Sequence, residues 1–186
     1  EMRRLGASGP SFETIVASGP RAAMPHGAAS EKVIRKRESV VIDYGCVYRG
    51  YCSDQTITVC TVDPGGDFMN AYRHVFKAQA LGIEALGPGV KASSVDKRAR
   101  EYLESAGYGA YFGHSLGHGV GMEVHEMPTL SQISKDTLEE GMVVTIEPGV
   151  YIPGKFGIRL EDMFVITDNS CKRITNLDKE AIKFLT

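Results

Sequence analysis

The sequence predicts an α+β domain made of two halves that share one plan, and three observations carry that expectation. Two strand-like segments each end in an acid, and each leads through a turn to a second strand bearing another acid. A pair of helical segments lies between these two strand pairs. Each half also opens on a helical turn stopped by glycine, followed by a glycine-rich link and a histidine segment.

The elements follow in chain order. Glu1-Met-Arg-Arg-Leu-Gly6 reads as the last turn of a helix closed by glycine, and the first residue is Glu rather than Met. The chain is therefore expected to be a fragment that starts inside a longer protein. Ser39-Val-Val-Ile-Asp-Tyr-Gly45 is a buried-type strand ending in Asp43, and a turn at Arg49-Gly50 leads to the alternating strand Ser53–Val59, which carries Asp54. A helix is expected from Phe68 to Leu86, with Phe68, Tyr72, Val75, Phe76, Ala80 and Ile83 on one face. Gly87-Pro88-Gly89 breaks the chain, and a second helix runs from an N-cap at Ser93 or Ser94 to Ala106, with Gly107 as its stop. Met142–Gly149 is then a strand ending in Glu147. A turn at Pro153-Gly154 precedes one strand over Gly157–Ile166, which holds Glu161.

With 186 residues, one domain is expected, large enough to bury roughly 70% of its unfolded surface. A net charge of -2 offers no electrostatic case for nucleic acid or a membrane surface. No apolar run approaches the roughly 18 residues needed to span a bilayer. Cys46, Cys52, Cys60 and Cys171 show no paired spacing, so free thiols in a reducing cytoplasm are expected.

Asp43 and Glu147 each follow a hydrophobic triplet, where an unpartnered acid costs several kcal/mol. Four acids in two matching hairpins call for cations. Only five histidines exist, and His114, His118 and His125 crowd into the glycine-rich segment Phe112–Pro128. Carboxylates and imidazole without thiolate suit Mn, Co, Fe or Zn. Two divalent ions roughly 3.5–4 Å apart would balance four carboxylates and activate a shared water. His74, on the first helix, is expected to face solvent without a role.

At this point the spacing Asp43, Asp54, His118, Glu147, Glu161 resembles the five-ligand dinuclear site of the pita-bread metallopeptidases: methionine aminopeptidases, Xaa-Pro aminopeptidases and prolidases. Met24-Pro25-His26-Gly27, Asp43-Tyr44-Gly45, Gly117-His118-Gly119-Val120-Gly121, Val124-His125-Glu126 and Glu147-Pro148-Gly149 match as well. The resemblance implies a single catalytic domain with the pita-bread fold, a curved antiparallel sheet with pseudo-twofold halves. The first half's helices and a separate N-terminal domain would be missing. The short step from Glu147 to Glu161, the motif Gly157-Ile-Arg-Leu-Glu161 and the segment Ser11–Gly19 are similar to the proline-specific branch.

That branch implies metal-dependent hydrolysis of the Xaa-Pro bond by a hydroxide shared between two ions, at peptide N-termini or in dipeptides. Asp43 would bind one ion, Asp54 and Glu161 would bridge, and His118 and Glu147 would complete the other. Glu147 would shuttle the proton, while His26 and His125 would contact the substrate and its oxyanion. His114 would support the pocket or make a structural hydrogen bond, and Arg159 would steady the ligand carboxylates. A homodimer is implied for the full-length protein. The family's usual Asp-x-Thr-Arg-Thr is here Asp54-Gln55-Thr56-Ile57-Thr58, so support behind the second ligand is expected to weaken at Ile57. The rival readings are a methionine aminopeptidase or another hydrolase of this fold, and, in a different class, a binding module without catalysis. The intact ligand set speaks against the module.

Overall fold

In the first half, β-branched and alternating segments become strands β1 (Gly9–Pro10), β2 (Ile15–Ser18), β3 (Ser39–Tyr44), β4 (Cys46–Tyr48), β5 (Tyr51–Cys52) and β6 (Gln55–Cys60), in a computed structural model that describes residues 1–184. β3 runs antiparallel to β2 and to β6, with Asp43 opposite Thr56 and Ile42 opposite Ile57. The β4–β5 hairpin turns at Arg49 (φ 51°) and Gly50 (φ 86°), the two left-handed residues that a tight hairpin loop requires. Helices α1 (Gly66–Glu84) and α2 (Ala92–Ser105) follow.

The second half holds β7 (Gly117–Gly119), β8 (Glu126–Leu130), β9 (Val143–Ile146), β10 (Gly149–Ile152), β11 (Phe156–Arg159), β12 (Asp162–Ile166) and β13 (Cys171–Arg173). Five of these form a sheet in the order β13-β12-β9-β7-β8, and β10 pairs with β11 alone. A last short strand, β14 (Lys183–Phe184), lies parallel to β6 and closes the first sheet.

The duplication expected from the sequence is visible in the ladders. β3 pairs with β6, and β9 pairs with β12, both antiparallel. In each half a small hairpin, β4–β5 or β10–β11, is inserted at the end of that ladder. Asp54 stands directly before β6, and Glu161 directly before β12. Asp43 lies near the end of β3, and Glu147 follows directly after β9.

Three expectations need correction. The single strand over Gly157–Ile166 is two strands, because the chain changes sheets at Leu160 and Glu161: β11 pairs with β10 and β12 pairs with β9. The second helix begins at Ala92 after Lys91, which has no side-chain capping bond, so Ser93 and Ser94 lie inside its first turn. His74 is half-buried: its Nδ1 is 2.9 Å from the Tyr102 hydroxyl, and its ring packs against Tyr102 and Tyr108.

The main core fills the space between the helices and the second half. Val75 and Ala78 of α1 and Val95, Ala99 and Leu103 of α2 pack with Leu130, Val144, Ile146, Ile158 and Phe164. Phe68 meets Phe156 edge-on at 5.1 Å between ring centres, tying α1 to the β10–β11 hairpin. A separate small cluster of Val40, Ile57 and Val59, with Ile42 and Leu177 against it, lies in the first sheet. Among the described residues, no helix is long and apolar enough to cross a membrane, and all four cysteines are free thiols.

The two halves meet along β11. A Cβ built on Gly157 would fall 1.7 Å from the backbone oxygen of Ala22 and 2.4 Å from its carbon, so only glycine lets these backbones touch. Gly157→Ala is therefore expected to cost about 3 kcal/mol or more, because the obstruction is backbone and cannot rotate away. Thermal unfolding of the variant checks this, and a melting temperature equal to that of the parent chain would contradict the contact.

Candidate metal centre

The ladders bring the four acids and the histidine segment to one place. A pocket of about 700 Å3 is lined by Asp43, Asp54, His118, Glu147 and Glu161, and also by His26, His114, His125 and Arg159. All nine residues singled out in the sequence therefore face one cavity. His118 Nε2 lies 3.6 Å from Asp54 Oδ2 and 3.2 Å from Glu147 Oε1. Ligand-type atoms of Asp54, His118 and Glu161 all fall within 4.8 Å of one another.

Local structure aims each group. His118 sits in β7 between two glycines, and a Cβ on Gly117 would lie 2.0 Å from the Thr145 backbone oxygen, so the strand presses directly on β9. His118 Nδ1 lies 3.0 Å from the Gly119 carbonyl, which can only accept. Nδ1 therefore carries a hydrogen, and Nε2 faces the carboxylates. Thr145 Oγ1 accepts from the His118 backbone amide at 3.1 Å and donates to Glu147 Oε1 at 3.3 Å. Thr56 Oγ1 donates to Glu161 Oε2 at 2.7 Å.

Arg159 is buried and joins four elements. It donates to Asp43 Oδ2 at 2.5 Å, to Thr56 Oγ1 at 3.2 Å, to the Tyr151 hydroxyl at 2.9 Å and to the Pro25 carbonyl at 2.8 Å. The last bond anchors the turn that carries His26. The Tyr151 hydroxyl lies 3.0 Å from His114 Nε2, and His114 Nδ1 lies 2.8 Å from the Ser115 carbonyl. Burial pushes the Tyr151 hydroxyl up to about 12 and lowers the His114 imidazole, so Tyr151 keeps its proton and donates to a neutral ring. His114 has both a pocket face and a structural hydrogen bond. His125 and His26 stand exposed on the rim, and the His125 ring lies edge-on to His118 at 4.4 Å. On α2, the buried Asp96–Arg100 pair holds the start of this segment, since Arg100 donates to the Phe112 and His114 carbonyls and Asp96 accepts from the Leu116 amide.

The electrostatics of the metal-free cluster are strained. Burial, followed by the charges of Asp43 and Glu147, pushes Asp54 up to about 8. Burial and the charges of Glu147, Asp54 and Asp43 hold Glu161 well above the carboxylate range. Burial also raises Asp43, although Arg159 opposes it. Burial works against ionised Glu147 and protonated His118, yet their mutual hydrogen bond and charge prevail, lowering Glu147 and raising His118. Two buried oxygens among the described residues, Asp43 Oδ1 and Glu161 Oε1, have no hydrogen-bond partner. A buried carboxylate oxygen left unpaired is costly, and a divalent cation supplies the missing partner. Oxygen donors with one imidazole fit such an ion. The residues present fit a metal.

The profile of metallopeptidase family M24 matches residues 1–168. The chain belongs to this family. It is 48% identical to the Xaa-Pro dipeptidase of Pyrococcus furiosus over 181 residues, 97% of this chain and 52% of that protein. The prolidase structure from that organism superposes with a TM-score of 0.94, over 95% of this chain and 52% of the other. An X-Pro aminopeptidase of Thermotoga maritima superposes at 0.96 with 43% identity, over 99% and 52%. The fold is thus the expected pita-bread fold, and family M24 implies divalent metal. The chain spans about half the length of the curated relatives it matches.

Ile57, at the position of the family's usual arginine, has an apolar setting. It alternates with Thr56 and Thr58 along β6 and packs into the apolar cluster with Val40 and Val59, while the two threonines bond Glu161 and Arg159. Sequence reasoning missed Tyr151 and Thr145, whose hydroxyls bond His114 and Arg159, and Glu147 and the His118 amide. It also missed Asp162, although an acid directly beside Glu161 was a visible signal. Asp162 is fully buried and accepts from Lys179 at 2.6 Å and Thr175 at 2.7 Å.

The strained acids predict a pH dependence. Asp54 loses its proton near 3.8 when unfolded but near about 8 in the metal-free fold. Its contribution is therefore fully present below pH 3.8 and is lost as pH rises through about 8. Relative to Asp54→Asn, the chelator-treated chain should lose ~4 °C or more of melting temperature between pH 5 and 8. Added divalent ion should restore it more at pH 8 than at pH 5, because at low pH the ion must displace protons. Scanning calorimetry with and without chelator tests this; parallel curves for parent and variant would remove the electrostatic account.

Proposed function

We propose that this chain carries the dinuclear catalytic centre of a proline-specific peptidase that cleaves the Xaa-Pro bond of dipeptides or of peptide N-termini. The observation that supports it most is the single pocket where two unpartnered carboxylate oxygens, His118 and three further histidines converge. Asp43, Asp54, His118, Glu147 and Glu161 would hold two divalent ions, of manganese, cobalt, zinc or iron. When bound, such ions supply an activated water and polarise the scissile carbonyl.

The chain's own residues account for the rest. Arg159 neutralises Asp43 and fixes its oxygen. Glu147 is kept ionised beside His118, so it can accept a proton and return it to the departing proline nitrogen. His26 and His125, exposed on the rim, would donate to the substrate carbonyl as charge grows on its oxygen. Neutral His114, set by Tyr151 and Ser115, lines the same pocket. The free thiols agree with a reducing cytoplasm, and a homodimer is proposed for the longer protein.

Assays with Ala-Pro, Gly-Pro and longer Xaa-Pro peptides against Met-Ala peptides, with added Mn or Co, test the reading. Preference for Met-Ala would favour a methionine aminopeptidase instead. Asp54→Ala is expected to abolish metal-dependent turnover, and unchanged turnover would show the ligand set to be wrong.

A further inference from the structure

The strand break that aims Glu147 and Glu161 leaves backbone groups in need of partners. β9 and β12 pair up to Ile146 opposite Asp162, and beyond that point both chains turn away into the β10–β11 hairpin. The carbonyls of Ile146 and Leu160, each directly before one of the two glutamates, stand at this fork. Both are reached by one side chain from the other layer. Gln79 of α1, 1% exposed, lies with Nε2 3.2 Å from the Ile146 oxygen, 3.2 Å from the Leu160 oxygen and 3.2 Å from Asp162 Oδ2.

All three partners are acceptors, which fixes the amide with its nitrogen toward them. A buried polar side chain on the apolar face of a helix is an expense that packing alone does not explain. Asp162 is in turn held by Lys179, Thr175 and Gln55, so the acceptor beside Glu161 is itself rigid. The Glu161 amide donates across the halves to the Thr56 carbonyl at 3.1 Å, and the Glu147 amide donates to Leu116 at 2.8 Å. The two glutamates therefore have fixed amides on one side and a shared donor on the other.

We infer that Gln79 is a positioning residue that sets the spacing of Glu147 and Glu161, and so the affinity and geometry of the metal centre. The inference rests on the reading of these glutamates as ligands. Gln79 touches neither the pocket nor substrate; it acts through the backbone that precedes each glutamate. The amide carries two hydrogens for three acceptors, so its loss frees both strands at once rather than one.

The test uses Gln79→Met, which keeps length and removes the donors, and Gln79→Asn, which keeps the amide but shortens its reach. Mn2+ affinity is measured by chelator competition, and the Co2+ absorption band reports ligand geometry. Gln79→Met is expected to bind Mn2+ 10–100-fold more weakly with a shifted Co2+ band, and Gln79→Asn to fall between it and the parent. Val95→Ala, which loosens the same helical layer from α2, should leave both readouts unchanged. Equal affinity and band in parent and Gln79→Met would overturn the proposal, as would an equal loss in Val95→Ala. Should Gln79→Met fail to fold, Gln79→Asn decides by the same two measurements. A parent chain that binds no divalent ion would instead remove the reading of the centre.

Discussion

Everything in this structure answers to the burial of four carboxylates in one pocket wall with a single arginine among them. In a low-dielectric setting such charges repel and are poorly solvated. The fold therefore invests its polar groups there: Arg159 on Asp43, Thr56 on Glu161, Thr145 and His118 on Glu147. What remains unpaired, one oxygen each on Asp43 and Glu161, is a demand for cations. An apolar core could be rearranged with less consequence, because packing is tolerant of equal-volume exchange while an unpaired buried charge is not.

The duplicated plan is the economical solution to that constraint. A strand that runs to an acid, an inserted hairpin and an acid that opens the next strand bring two carboxylates to one pocket. Two copies facing each other bring four. The halves are then held in register by bonds between them. Thr58 Oγ1 donates to the Arg159 carbonyl at 2.9 Å and accepts from its amide at 3.0 Å, and the Glu161 amide bonds Thr56. Arg159 also reaches the turn before His26, so one side chain links Asp43, the second half and the rim. The histidine segment enters the same frame through the Asp96–Arg100 pair of α2.

The legible parts of the sequence were those in which one residue type or one local period is enough to announce a role. Alternation and β-branching marked β3 and β6, and helical spacing marked α1, because burying one face is a local property of each period. Acids after hydrophobic triplets announced the centre, because an acid has little reason to be there alone. The illegible parts were pair properties. Nothing in Gln79 distinguishes it locally from any helical glutamine; only the fork between β9 and β12 shows what its amide must satisfy. Lys179 looks like an ordinary surface charge until the chain folds it against Asp162 at 2.6 Å in the interior. The break at Leu160 was invisible because both flanking segments are good strands, and only their different partners separate them.

The sequence by itself determined which residues line the pocket, the doubling of the hairpins and the placement of the helices between them. These follow from local periods and from the cost of burying charge, which travel with the chain whatever its surroundings. Tertiary structure decided where those residues stand and what each one touches. It gave His114 a tyrosine, set His26 and His125 on the rim, turned Ile57 away from the carboxylates and aimed Arg159 at Asp43. Those outcomes depend on which strands meet, and a contact between residues a hundred positions apart has no signature in either residue alone.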